Sequence, residues 1–363
     1  MHNVKSVKPI AFYLPQYHSI PENDKWWGKG FTEWTNVTKA KPLFKGHWQP
    51  RLPSELGFYD LRVEETRIEQ AQIAKSYGIY GFAYWHYWFG NGKQLLERPF
   101  QEVLNSGQPD FPFCLAWANQ TWAGSWHGLS KNTVLIEQEY PGEQDYKDHF
   151  LKILPALKDK RYIIVNGKCL FLIYRANEIP DLFAFTTLWQ NLAKEHNLPG
   201  FYFVSCHDNS DKLLEKGIHA FIQDIPDRFV LNKIPLIFRA FYRLKNELGI
   251  KSKKRICKID YNKYLRHYSQ YAFKENEYPM IMPDWDNSPR CGNDGWMFVN
   301  SSPLLFKNLV QKAVHFLNSK KNAEDKILII KSWNEWAEGN YLEPDRKYGK
   351  QYLTALKDGL NFD

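Results

Sequence analysis

Eight short apolar runs recur along the chain, and they constrain its fold more than any other feature. The runs span 9–14, 79–85, 111–117, 169–174, 201–205, 220–222, 278–282 and 326–331. Most are separated by stretches with helical spacing of apolar residues, such as 63–77 and 182–196. Apolar strands alternating with helices indicate a parallel sheet packed against those helices. Their number, in 363 residues, predicts an α/β fold, a single (β/α)8 barrel rather than an open sheet.

Two segments depart from this repeat. Asn166-Gly167 separates the apolar arms 161–165 and 169–174, and this dipeptide is the strongest short signal for a β-hairpin. We expect the hairpin to decorate the barrel, with its second arm as strand four. Residues 228–266 form a predicted basic helical insertion between strands six and seven. Because no repeat, low-complexity tract or Gly/Ser linker interrupts the chain, residues 1–363 are predicted to form one catalytic domain.

The net charge of +8 is concentrated in the basic insertion, which holds 12 Lys or Arg and 2 acidic residues. The insertion therefore carries +10 and the rest of the chain −2. Its mixture of apolar and basic residues suits the anionic surface of a membrane. The alternative is an ordinary solvated helix pair that covers the barrel. We expect no nucleic-acid partner, since the remaining charge is slightly acidic and no nucleic-acid motif is present.

The predicted location is the cytoplasm, with peripheral contact at the inner membrane if the basic insertion binds lipid. The amino terminus has no apolar signal core, and no run of about 18 apolar residues exists. The five cysteines are scattered and lack CxxC spacing, which is typical of reduced thiols rather than a disulfide framework or a zinc site.

Polar and aromatic residues follow most of the predicted strands. These clusters are 15–18, 85–88, 117–120, 174–175, 206–208, 223–224, 284–286 and 333–335. The carboxyl ends of barrel strands meet at one face, where barrel enzymes carry their active sites. Aromatic residues make up 16% of the chain, including 14 Trp, and many stand beside Gly, Asn or Glu in predicted loops. Rings in such loops favour a carbohydrate-binding cleft.

The candidate catalytic residues are Glu335 and Glu338, which follow the last strand and lie among tryptophans. In a turn, carboxylates three residues apart share a side. Burial and mutual repulsion would raise the pKa of one of them, leaving one protonated acid and one ionised base. Glycosidic chemistry requires that division. The alternative is a helix start, with Asn334 as N-cap and both glutamates facing the positive end of the helix dipole.

The candidate substrate-binding residues come from the same post-strand clusters and from the loop after strand one. They are Tyr13, Gln16, Tyr17, His18, Trp34, Tyr84, His86, Tyr87, Trp117, Asn119, Trp122, Asp286, Arg290, Trp333, Asn334 and Trp336. Asp286 and Arg290 are expected in the pocket, with an ion pair between them as one option.

No metal and no cofactor are expected. The histidines lack HxH or HxxxH spacing. Asp284-Trp285-Asp286 has the D-x-D pattern of metal-dependent glycosyltransferases, but the tripeptide is common, and no nucleotide-binding loop accompanies it.

The motifs together resemble the WbsX-type proteins of bacterial O-antigen and capsule gene clusters, which are similar to the endo-α-mannosidase family of retaining glycoside hydrolases. The matching pieces are 12–18, 27–34, 81–88, 116–119, 285–290 and 333–339. The resemblance implies a (β/α)8 barrel. It also implies that Glu335 is a base on the sugar's own 2-hydroxyl, giving a 1,2-anhydro intermediate with net retention, and that Glu338 is the acid/base. Ala337 departs from the mannosidases, which have histidine there.

Three functions remain open at this point. The first is a retaining hydrolase or transglycosylase of bacterial surface polysaccharide, similar to the endo-α-mannosidases. The second is a glycosyltransferase of O-antigen or capsule biosynthesis that extends a lipid-linked oligosaccharide. The third is a non-catalytic glycan-binding barrel. In each case an oligosaccharide or polysaccharide is the expected ligand.

Overall fold

The chain forms a closed barrel of eight parallel strands in this computed structural model, which describes residues 7–124, 133–223, 255–320 and 326–361. The strands are β1 Lys8–Tyr13, β2 Gly81–Trp88, β3 Phe113–Trp117, β4 Lys168–Ile173, β5 Phe201–Ser205, β6 Ala220–Gln223, β7 Glu277–Ile281 and β8 Ile327–Ile330. Each pairs with the next, and β8 pairs with β1. The predicted (β/α)8 fold is confirmed.

Helices cover the outside of the barrel and occupy the loops at its carboxyl end. In the described ranges they are α1 Pro21–Trp27, α2 Glu33–Lys39, α3 Glu64–Ser76, α4 Arg98–Ser106, α5 Glu143–Leu157, α6 Leu182–Glu195, α7 Tyr261–Gln270, α8 Ser288–Cys291, α9 Pro303–Ser319 and α10 Gln351–Leu360. The long ones bury an apolar stripe on the barrel wall, as α9 does with Phe306, Leu309 and Val310. The helices predicted at 63–77 and 182–196 are α3 and α6.

The predicted hairpin is present at the start of β4. Strand Ile164–Val165 pairs antiparallel with Lys168 and Cys169 of β4. Asn166 and Gly167 have φ angles of 48° and 73°. Both positive angles are required by a two-residue turn that matches the strand twist, which explains the Asn-Gly sequence.

Side chains along β2 alternate between the helix layer and the barrel interior. The Tyr84 ring packs on Phe100 of α4 at 5.0 Å, and His86 Nε2 lies 2.8 Å from His149 Nε2 of α5. Trp85, between them, faces inward and stacks on Phe12 of β1 at 4.4 Å. The two-residue period of a strand therefore decides which of these aromatic residues reach the interior.

Part of the basic insertion, residues 228–254, lies outside the described residues, as does Asp224. Its described end contains strand Cys257–Asp260, which pairs parallel with Trp296–Val299, and the beginning of α7. The helical character of 228–254, its membrane contact and the single domain over 1–363 stay predictions. Among the described residues, no helix has the length and apolar character needed to cross a membrane.

Candidate active site

The loop after β8 folds into a tight two-stranded turn that presents Glu335 and Glu338. Strand Asn334–Glu335 pairs antiparallel with Asn340–Tyr341, and Trp336–Glu338 form one 3-10 turn between them. Gly339 closes the turn with φ of 60°, and a Cβ there would lie 2.9 Å from the Asp286 backbone nitrogen. The helical element here is this single 3-10 turn, capped by Glu335, rather than an α-helix with Asn334 as N-cap.

Asn334 ties this turn to the end of β1 instead of capping a helix. Its side-chain oxygen accepts a hydrogen bond from Leu14 N at 2.8 Å, and its amide donates to Leu14 O at 3.0 Å. The Tyr17 hydroxyl donates to the Asn334 carbonyl. The first and last strands of the barrel are therefore locked together beneath the glutamates.

Arg290, from α8, binds three carboxyl groups with one guanidinium. Its Nη1 donates to Glu338 Oε1 at 2.7 Å, and its Nη2 donates to Glu33 Oε1 at 2.6 Å and to Glu335 Oε2 at 3.2 Å. The Arg290 side chain is 10% exposed, and those of Glu335 and Glu338 are 12% and 16% exposed. The two candidate catalytic carboxyls therefore share one buried cation at the carboxyl end of the barrel.

Glu33 is a third carboxyl in this cluster that the sequence did not identify as a site residue. It stands at the first position of α2, and its side chain is fully buried. Glu33 Oε1 also accepts a hydrogen bond from the Ala337 backbone N–H at 3.1 Å, inside the Glu335–Glu338 turn. An acidic residue in the first turn of a helix is common for reasons of the helix dipole, so its position hid this contact.

Burial and the neighbouring charges shift the pKa values of Glu335 and Glu33. Burial, and repulsion by Glu338, raise the pKa of Glu335 to about 8, while Arg290 opposes the rise. Burial also raises the pKa of Glu33, again against the pull of Arg290. Glu33 accepts two close donors and Glu335 accepts one longer contact, so we assign the proton to Glu335. The raised pKa of Glu335 favours its protonated form at neutral pH.

A second buried cluster, built around Asp284 and Asp286, contacts the Glu335–Glu338 turn. Asp286 Oδ2 accepts from His47 Nε2 at 2.8 Å and from Gln49 Nε2 at 2.7 Å, and Asp284 accepts from Arg51 at 2.8 Å. The backbone N–H of Asp286 donates to Glu338 O at 2.6 Å. The ion pair between Asp286 and Arg290, one of the expected options, is not formed.

The environment of Asp286 favours its ionised form. Burial works against ionisation, but the hydrogen bond from His47 and the charge of Arg51 lower the pKa of Asp286 overall. Both aspartates of the D-x-D tripeptide thus bind side chains of the loop 47–51. That loop contacts the end of the Glu335–Glu338 turn through Arg51, which donates to Gly339 O at 3.0 Å.

Glu343 is the buried carboxyl on the other side of the turn. It accepts hydrogen bonds from Tyr59 Oη at 2.8 Å, Gln70 Nε2 at 2.6 Å and Trp336 Nε1 at 2.6 Å. Burial raises its pKa to about 7. The Trp336 ring stacks on Tyr341 at 3.7 Å. We call the carboxyl end of the barrel, where Arg290, Glu335 and Glu338 lie, the mouth. The hydrogen bond to Glu343 and the stacking on Tyr341 keep Trp336 buried rather than exposing the face of its ring.

Aromatic rings from neighbouring strand ends pack against one another, and one of these residues, Tyr87, lies near Glu335. Trp85 stacks on Phe12 and meets Tyr174 edge-on at 5.8 Å, and Tyr174 lies 5.6 Å from His207. Tyr87 interacts electrostatically with Glu335, and its ring packs on Trp122 at 5.1 Å. An aromatic surface beside paired carboxyls can hold the apolar face of a sugar ring.

The structure sorts the predicted substrate-binding residues into three groups. Tyr87, Trp122 and Arg290 lie with the glutamates at the mouth. A second group is buried, and its members are Gln16, Tyr17, His18, Trp34, Asn119, Asp286, Trp333, Asn334 and Trp336. Tyr13, Tyr84, His86 and Trp117 lie in the wall between strands and helices, where their rings or hydrogen bonds reach Gln70, Phe100, His149 and Phe185.

Trp85 and Tyr174 are two aromatic residues that sequence reasoning placed in strand-end clusters without naming them as site residues. The alternation along β2 contains the signal for Trp85, because it places this residue on the opposite face from Tyr84 and His86. No pattern in the sequence indicated that Glu33 belongs to the site. Within the described ranges, no group of His, Cys, Asp and Glu has the arrangement of a metal site.

Comparisons with solved structures show barrels of the same fold. A glycoside hydrolase-like protein covers 100% of this chain, with 96% of its own chain matched, a TM-score of 0.59 and 15% identity. A GH99 endo-α-mannosidase from Bacteroides thetaiotaomicron covers 97% of this chain, with 96% of its own matched, a TM-score of 0.57 and 14% identity. At these identities the likeness concerns the fold.

Sequence comparison identifies the family. The family model described as glycosyltransferase WbsX matches residues 9–356. Two proteins named WxcX, uncharacterised, from two strains of Xanthomonas campestris pv. campestris are each 34% identical over 354 residues, 97% of this chain and 49% of theirs. The chain spans about half the length of these curated relatives. The protein belongs to the WbsX glycosyltransferase family, and its fold is that of the barrels compared above.

Proposed function

We propose that this chain breaks or makes an α-glycosidic bond in a bacterial surface polysaccharide, with Glu335 and Glu338 as the reacting carboxyls. The supporting observation is that one buried guanidinium, Arg290, holds both carboxyls at the barrel mouth. The raised pKa of Glu335 favours a proton on this carboxyl at neutral pH. One acid and one carboxylate flanking a scissile bond are the requirement of glycosidic chemistry.

The roles follow the resemblance to retaining endo-mannosidases. Glu335 takes the proton of the sugar's 2-hydroxyl, whose oxygen attacks C1 while the glycosidic C1–O bond breaks and Glu338 protonates the leaving oxygen. Glu338 then takes a proton from water, the water oxygen opens the anhydro ring at C1, and Glu335 returns its proton to O2. Two inversions give net retention. The proton favours Glu335 without ligand, so this assignment requires that substrate binding moves it to Glu338.

A leaving-group comparison tests the assignment. An acid variant regains activity on a substrate whose leaving group needs no protonation, whereas a base variant does not. We therefore expect Glu338→Gln, and not Glu335→Gln, to recover the first step, read as a burst of phenol release, on an aryl glycoside with an acidic phenol. Recovery in Glu335→Gln alone would exchange the two roles.

A glycosyltransferase is the second candidate, favoured by the family to which the chain belongs. In the second half of the reaction above, an acceptor hydroxyl in place of water gives transfer instead of hydrolysis. The same two carboxyls therefore serve both outcomes, and the acceptor decides between them. The basic insertion at 228–266 would bring such an enzyme to lipid-linked acceptors at an anionic membrane.

The deciding experiment incubates the purified protein with its host's lipid-linked or surface polysaccharide, with and without a nucleotide-sugar mixture. Products are read by mass spectrometry, with Glu338→Gln as the control. Shorter fragments without donor, lost in the variant, support the hydrolase or transglycosylase. Longer chains that need a nucleotide sugar support the transferase. Glycan binding without any product would instead favour a non-catalytic glycan-binding barrel.

A further inference from the structure

The position of Glu33 joins parts of the site that are far apart in sequence. Glu33 belongs to the β1–α2 region, Arg290 to α8 and Ala337 to the turn after β8. One oxygen, Glu33 Oε1, accepts from Arg290 Nη2 at 2.6 Å and from the Ala337 N–H at 3.1 Å. Those two donors are the cation that holds both candidate catalytic carboxyls and the backbone between them.

The other oxygen of Glu33 is unusual for a buried carboxylate. Glu33 Oε2 is buried and has no hydrogen-bond partner among the described residues. Leaving a buried charged oxygen without a donor costs about 1–3 kcal/mol or more. A carboxyl with only a capping role at a helix start would be solvated or hydrogen-bonded to the helix. The first turn of α2 already has Thr32 and Thr35 for its capping box.

The charge of Glu33 influences whether Glu335 is protonated. Three carboxyls surround one guanidinium, so full ionisation would bury a net charge of two negatives, and the cluster retains a proton to avoid it. Glu33 has the better donors, so its own ionised form is favoured over that of Glu335. Repulsion from Glu33 is among the influences that hold the proton on Glu335.

We propose that Glu33 is a positioning residue of the candidate site: its carboxyl group fixes Arg290 and the Glu335–Glu338 turn together and adds its charge to those that surround Glu335. This inference rests on the proposed function for its biological meaning, but its physical content does not require turnover. The residue supplies no atom to the reaction. It sets the spacing of the two carboxyls and the number of protons they share.

The test is a pH titration of the protonated carboxyl C=O stretch by infrared difference spectroscopy. The component that Glu335→Gln removes belongs to Glu335. In Glu33→Gln, which keeps the Oε1 acceptor but removes the charge, this component should titrate about one pH unit or more lower. An unchanged midpoint would overturn the proposal. Glu343→Gln is the matched control, since Glu343 is equally buried but contacts neither Arg290 nor Ala337 N, and it should leave the Glu335 midpoint in place.

A second variant separates charge from shape and serves if Glu33→Gln does not fold. Glu33→Asp keeps the charge but is too short to reach both donors. We expect it to retain the high Glu335 midpoint and, if the proposed function holds, to lower kcat with little change in KM. A midpoint that falls as far as in Glu33→Gln would contradict the role of charge. Absence of glycan turnover in the wild type would reject the proposed function and leave the infrared result standing.

Discussion

Two buried clusters of titratable groups, one in the barrel wall and one around Arg290, behave in opposite ways. In the barrel wall, His86 and His149 lie 2.8 Å apart, and the His149 ring stacks on Trp88 at 4.8 Å. Burial lowers the pKa of His86 to about 3 and that of His149 well below its usual value, so both stay neutral. At the mouth, Arg290 cannot give up its charge, and three carboxyls compete for it.

The comparison shows that a buried polar cluster acquires a charge pattern useful for chemistry when it contains a group that stays ionised. Two neutral imidazoles can form a hydrogen bond in which one nitrogen donates and the other accepts, so neither has to be protonated. Carboxyls around a guanidinium must divide a proton unequally. The cluster at the mouth therefore contains competing charges, whereas the histidine pair in the wall is neutral. The following variants test that difference.

Removing Arg290 should have the largest effect. Arg290→Met leaves three carboxyls without their cation, and breaking a buried ion pair from one side costs about 3–5 kcal/mol of unfolding free energy. Urea denaturation at pH 8 measures it. The matched control is Arg62→Met, which removes the exposed ion pair with Asp60 and should cost about 0–1 kcal/mol. Similar losses in the two variants would mean that Arg290 is not the organising charge of the mouth.

In the wall, His149→Phe should cost less and should not affect chemistry. The substitution keeps an aromatic ring against Trp88 but leaves His86 Nε2 without its partner, which costs about 1–3 kcal/mol. Urea denaturation at pH 7 provides the measurement. A variant as stable as the wild type would show that the histidine pair does not contribute to the wall.

The pH dependence of stability should distinguish Glu335 from an ordinary surface glutamate. Because burial raises its pKa from 4.5 to about 8, the folded state binds a proton that the unfolded state releases in this window. Its contribution to stability is therefore full below pH 4.5 and is lost as the pH rises towards 8. Glu335→Gln, which mimics the protonated form, should gain in Tm over the wild type across this range, by roughly 2–4 °C at the upper end. A constant Tm difference from pH 5 to 9 would refute the raised pKa.

The smallest effect should come from the aromatic surface of the interior. Trp85→Ala removes a ring that stacks on Phe12 and meets Tyr174. If a sugar ring packs there, KM should rise roughly 3–10-fold with kcat largely kept, as expected for the loss of one aromatic contact. Steady-state kinetics on the glycan identified by product analysis measures both constants. A fall in kcat with unchanged KM would place Trp85 in support of the barrel rather than in contact with substrate.

Much of the barrel could be predicted because apolar runs and helical spacing are local signals. Residues 201–205 were predicted as a strand and form β5 with the same bounds. The end of β2 shows the limit. His86, Tyr87 and Trp88 look like loop residues by type, yet they continue the strand, and His86 pairs with Trp117 of β3. Once they are strand residues, alternation sends His86 to the wall and Tyr87 to the mouth.

The glutamate pair could be predicted from its spacing, but its partners could not. Glu33 and Arg290 are separated by 257 residues, and Glu33 and Ala337 by 304. Nothing local distinguishes Glu33 from a carboxylate that begins a helix, and its function in the cluster follows from the closure of the barrel between β1 and β8. The sharing of Asp286 with His47 and Gln49, rather than with Arg290, depends on the same long-range packing.

The most direct test of the account compares the turnover of Glu338→Gln and His149→Phe with that of the wild type on one glycan. Each variant alters a buried hydrogen-bonded group, one at the mouth and one in the wall. We predict that Glu338→Gln loses about 10²–10⁴-fold in kcat, the usual contribution of an acid or base, while His149→Phe keeps wild-type turnover at a temperature where it is folded. Retained turnover in Glu338→Gln, or an equal loss in both variants, would contradict the assignment of the chemistry to the mouth.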